Sequence, residues 1–86
     1  MRKPSEAIRQ YHRQMINNAL RALSETTMEE REMTGYSVPL RKKDIPEFKK
    51  MMRKFHREIA RLAAKTNADN VYQFNVQLFP LTKQKK

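Results

Sequence analysis

The stretch Val71–Thr82, reading VYQFNVQLFPLT, holds no charged residue in a chain of which 33% is charged. It alternates for most of its length. Tyr72, Phe74, Val76 and Leu78 fall on one side of an extended strand, and Gln73, Asn75 and Gln77 on the other. An uncharged strand rich in aromatic and β-branched residues invites open-ended pairing when its edges are bare. Something must cover it. The segment therefore says more about assembly than about activity.

The length sharpens this requirement. A chain of 86 residues buries only about 60% of the surface its unfolded form exposes, so one domain of this size is marginal alone. Small domains usually need a disulfide, a metal or a partner. Cysteine is absent, which removes disulfides and thiolate metal sites together, and two histidines leave little basis for a zinc site. No cofactor is expected. Self-association or attachment to a neighbouring domain is the remedy left. No apolar run approaches a membrane span and no secretory signal opens the chain, so the expected compartment is the cytoplasm, with no membrane partner.

The net charge of +10 is unevenly placed. Residues 1–24 carry +4, residues 25–32 carry −3 through Glu25, Glu29, Glu30 and Glu32 against Arg31, and residues 41–65 carry +7. Such a balance suggests nucleic acid or another polyanion as a partner, although many basic surfaces are merely solvated.

A first helix is expected over about 5–24, capped by Ser5, with Ile8, Tyr11, His12, Met15, Ile16, Ala19, Leu20, Ala22 and Leu23 spread over about 180° of its circumference. That arc is wide enough for two partners. Thr27 and Glu30 suggest a capping box for a short turn. A strand follows at about 36–40, where Pro39 cannot donate a ladder bond and marks an edge. A second helix, about 45–65, carries Asp44 as N-cap, Pro46 in its first turn and Glu47 to complete a capping box. Ile45, Phe48, Met52, Phe55, Ile59 and Leu62 share an arc of about 100°, and Lys49, Lys50, Arg53, Lys54, Arg57, Arg61 and Lys65 occupy about 160° opposite. The second strand is expected at about 71–79, and the tail at 83–86 is expected to be frayed and disordered.

The expected fold is thus one small α/β (α+β) domain over 1–86, in the order helix, strand, helix, strand. Its last three elements would make a β-α-β unit with a right-handed crossover. Two strands do not make a self-sufficient sheet. The helices would cover one face of a sheet completed by dimerisation or by strand exchange. The expected homodimer interface comprises Tyr72, Phe74, Val76, Leu78, Phe79 and Leu81, with Met15 and Leu20 of the first helix as cover.

Three blocks, SEAIRQYHRQMINNAL, REMTGYSVPL and NADNVYQFNVQLFPLT, resemble the C-terminal α/β part of a bacterial family of unknown function. Some of its members are described as transcriptional regulators. The resemblance runs from about Ser5 to Lys83 and rests on Tyr11–His12, Arg31–Glu32 and the VYQxNxQLFPLT signature. Gly35 and Pro39 depart from it, standing where ordinary strand residues are expected. In longer members a winged-helix-like region precedes this part. The resemblance implies a regulatory or dimerisation half of a DNA-associated protein, with DNA contact through a region upstream of Met1, and it transfers no catalytic residue.

Other sites are weighed against plainer readings. Lys49, Arg53, Lys54, Arg57 and Arg61 could contact phosphates, but solvation of a basic face is slightly favoured, since no aromatic residue is interleaved for stacking. His12 is expected to be buried or half-buried, and His56 to border the apolar stripe, both structural. The acidic cluster lacks a calcium-loop pattern and is expected to face basic residues, with Arg31 or Glu32 in a fixed ion pair. Gln73, Asn75 and Gln77 are expected on the solvent side rather than reading bases. The leading expectation is a non-enzymatic dimerisation or effector module of a bacterial transcriptional regulator, its small-molecule ligand unknown. A stand-alone basic nucleic-acid-binding protein and a protein–protein adaptor are the alternatives.

Overall fold

The structure, a computed structural model, describes residues 3–82. The tail expected at 83–86 lies outside the described residues. Two α-helices carry the regular structure: α1, Pro4–Glu25, and α2, Ile45–Ala63, the latter entered through a 3-10 turn at Lys42–Asp44. Among the described residues there is no β-strand. The architecture is all-α, which overturns the α/β expectation and with it both strands and the shared sheet.

The physical reason lies in what a ladder requires. Residues 31–41 and 71–80 are outside regular structure. Pro39 removes one donor from the first segment, and a two-stranded pair is marginal in water even when both strands are intact. The first expected strand, 36–40, and the middle of the second, Gln73–Gln77, also fall in different compact units. One unit comprises the chain through Gly35 together with Gln73–Gln77; the other contains Tyr36–Tyr72 and the chain from Leu78 onward.

In the first unit, α1 begins at Pro4, one residue before the Ser5 cap that the sequence suggests. Proline suits the first helical position because its missing N–H has no partner there and its φ is already helical. Lys3 holds the cap position without a side-chain cap, and its carbonyl accepts from the amides of Glu6 at 3.0 Å and Ala7 at 3.2 Å. At the other end, the Thr26 amide and hydroxyl both donate to the Ala22 carbonyl, at 3.2 and 2.6 Å. The last turn of α1 has no basic residue, and the Arg31 guanidinium supplies one from outside by donating to the Thr26 carbonyl. Arg31 is therefore a helix-end cation and not the carboxylate partner expected from sequence.

Between them sits the Thr27–Glu30 turn. The Thr27 amide and hydroxyl each donate to Glu30 Oε1 at 3.0 Å, and the Glu30 amide donates to the Thr27 carbonyl at 3.1 Å. This is the half of a capping box in which the acidic side chain reaches back to the cap residue's N–H.

In the second unit, Asp44 stands at the N-cap of α2 as expected, but its carboxylate is turned away from the helix. It accepts from Arg41 Nε at 3.0 Å and Arg41 Nη2 at 3.3 Å, so no side-chain cap forms. The helix closes with amides of Ala64, Lys65 and Thr66 donating to the carbonyls of Ala60, Leu62 and Ala63.

Neither unit has a core of its own: no described residue is buried. Met15, Asn18, Ala19 and Ala22 of α1 are half-buried, as are Leu40, Ile45, Phe48 and Met52 in the second unit.

Candidate functional site

The amides of the C-terminal segment, expected on the solvent side, are the groups that hold it to α1. Asn75 Nδ2 donates to the Met15 carbonyl at 3.0 Å, and Gln73 Nε2 donates to Tyr11 Oη at 3.3 Å and to Asn75 Oδ1 at 2.8 Å. Asn75 is the one half-buried residue between Val71 and Thr82. The register has a simple origin. Two residues of extended chain and four of helix both advance about 6–7 Å, so alternate amides meet successive turns. Met15 is gripped twice, because Asn18 Nδ2 also lies 3.9 Å from its sulfur, and Arg21 in turn donates to Asn18 Oδ1.

These bonds correct the sequence reading for Asn75, which is half-buried, whereas Gln73 and Gln77 are exposed as expected. Phe74, Val76 and Leu78 are exposed but less open than Tyr72, which is 71% exposed, and Phe79 and Leu81 are exposed as well. Leu20, expected as cover, is 65% exposed and Met15 half-buried. Met15 is engaged by the segment through its backbone carbonyl. The signal that could have revealed this was the absence of any charge among Gln73, Asn75 and Gln77. A side chain row meant for water usually carries lysine or glutamate, whereas uncharged amides suit a helix backbone.

On α2, Lys49, Arg53, Lys54, Arg57 and Arg61 are all exposed. Lys49, Arg53 and Arg57 line an open furrow with Met52 and His56. The apolar stripe behind them is unevenly covered: Ile45, Phe48 and Met52 are half-buried, whereas Phe55 and Ile59 are exposed and Leu62 is 64% exposed.

His12 is exposed, which corrects the expected burial; its ring meets Tyr11 edge-on with centroids 5.4 Å apart. His56 is exposed too. Glu25, Glu29, Glu30 and Glu32 are all exposed, and the backbone hydrogen bond from Thr27, helped by its hydroxyl, holds the Glu30 carboxyl below the usual range. Among the described residues, no group of histidine, aspartate and glutamate side chains is placed to hold a metal ion, and no helix is long and apolar enough to cross a membrane.

No curated protein and no solved structure matches the chain significantly. A family model does: residues 2–81 match the domain of unknown function DUF4423, and the chain belongs to that family.

Proposed function

We propose that this chain is a non-enzymatic module that pairs with a second copy of itself, as the dimerisation or effector part of a bacterial transcriptional regulator. The observation that carries the pairing is the lack of any buried residue among those described, while apolar side chains stand exposed on α1 and along the Val71–Leu81 segment. Apolar side chains left exposed in this number favour an interaction surface over one bare to water. The partner surface is made of Phe74 and Val76 of the C-terminal segment together with Leu20, Ile16 and Leu23 of α1, all of them exposed and all in the first unit. The pairing is of side chains across these faces. The regulatory role is supported by the sequence resemblance, and the non-enzymatic character by a sequence in which no nucleophile–base pair, phosphate loop or metal constellation is identifiable.

Light scattering at micromolar concentration tests the reading. The wild-type chain is expected to have the mass of two copies. Leu20→Asp and Val76→Asp, each placing a charge in the apolar surface, are expected to shift it to one copy. A folded monomer at these concentrations overturns the proposal.

A further inference from the structure

We propose that the basic face of α2 binds duplex DNA, lying in the major groove with its two edges against the two phosphodiester strands. Turning 100° per residue, Lys49 and Arg53 lie within about 40° of each other on one edge. Lys54 and Arg61 lie about 120–140° from Lys49 on the other, with Arg57 and Lys50 between them at about 80–100°. Glu47 and Glu58 fall at about 160–180°, at or beyond the far edge, so the centre of the face has no carboxylate.

Two features make this face a site for an anion. All of these cations are exposed, and among the described residues none of Lys49, Arg53, Lys54, Arg57 and Arg61 forms an ion pair, although Glu47 and Glu58 share the helix. The like charges at Lys49, Arg53, Arg57 and Arg61 repel along the helix at four-residue spacing. An external polyanion would neutralise all of them together. The dimensions also agree. Lys49 to Arg61 spans about 18 Å of helix, and the major groove of B-form DNA, about 12 Å wide, admits one helix. Cations on opposite edges of a wide arc then reach opposite strands.

The same geometry favours duplex DNA over other polyanions. An acidic membrane would need the whole apolar stripe to enter the headgroup layer, but Ile45, Phe48 and Met52 are already half-buried within their own unit. A-form RNA closes its major groove to a helix. From Ile45 to Ala63 there is no asparagine or glutamine to bond an adenine edge, and the long side chains of Arg57 and Lys50 reach phosphates from the centre of the face, so binding is indifferent to sequence.

The test is fluorescence anisotropy of labelled duplex DNA with the full chain across a salt series. Five neutralised phosphates give a slope of log K against log salt of about −4.5, which is about a 500-fold loss between roughly 50 and 200 mM. Arg53→Gln/Arg57→Gln is expected to reduce the slope by about 2 and to weaken all sequences alike. Arg53→Lys/Arg57→Lys, which keeps the charge, is expected to retain the slope. Circular dichroism on each variant establishes that the helix content is kept. Absence of DNA binding, a slope unchanged by the glutamine pair, or tighter binding to duplex RNA or to phosphatidylserine vesicles overturns the proposal. Light scattering on the same samples separates it from the dimerisation reading: a monomer that binds DNA upholds this inference and refutes that one, and a dimer that ignores DNA does the reverse.

Discussion

Glu30 shows how a single side chain acts through its backbone contacts. Its carboxylate accepts from the Thr27 amide and hydroxyl, and both bonds favour the ionised form, so its pKa is lowered. The linkage has a definite sign. Because the folded pKa is the lower one, the contribution of this contact is complete above the ordinary glutamate range and is lost as pH falls through the depressed folded value. In an NMR titration the Thr27 amide resonance should move with a midpoint below that of an unperturbed glutamate. Glu30→Gln should abolish the movement. Arg31 works beside it in the opposite sense, placing a positive charge at the carbonyl end of α1, where the helix dipole favours cations by about 0.3–1 kcal/mol. Both residues were conspicuous in the sequence, Glu30 by its spacing from Thr27 and Arg31 as the lone cation among glutamates. The partner of Arg31 was not legible, because a carbonyl at a helix end leaves no mark in side-chain chemistry.

At the scale of elements, the helices were the legible part. Period-3.6 apolar residues place α1 and α2 within two residues of their observed ends. The ends themselves were decided by local competition that sequence alone does not rank: Pro4 over Ser5 at one start, and an Arg41 contact over a cap for Asp44 at the other. For the C-terminal segment, alternation distinguishes two sides without saying which faces inward. Asn75 decides it through its bond to the Met15 carbonyl. Replacing Asn75→Leu should release Gln73–Gln77 from α1, because a net hydrogen bond of about 0.5–1.5 kcal/mol is lost with the only half-buried anchor of the segment. Limited proteolysis should then cut within 73–77 several-fold faster, while helical circular dichroism stays as in the wild type. Unchanged cleavage would mean that Asn75 does not hold the segment.

For the whole molecule, the legible fact was need, and the illegible one was means. An uncharged apolar segment and the wide face of the first helix announce surfaces that must be covered. Strand pairing was the expected cover, but a ladder depends on distant backbone meeting in register, and nothing local to Tyr36–Leu40 or Val71–Phe79 specifies that meeting. The chain instead gives the amides of Gln73 and Asn75 to α1, and no side chain of the segment is buried. Without a buried residue among those described, neither unit covers its own apolar side chains, and a second copy of the chain is the proposed cover. Phe74 is an exposed aromatic residue of that surface, and Phe74→Ala should weaken association by about 2 kcal/mol, roughly thirtyfold, if it behaves as an aromatic anchor. Sedimentation equilibrium over a concentration series tests this most directly. The expected mass is that of two chains at micromolar concentration, falling toward one on dilution, with the Phe74→Ala transition displaced to higher concentration. A single-chain mass throughout, from protein that still unfolds cooperatively, would contradict it.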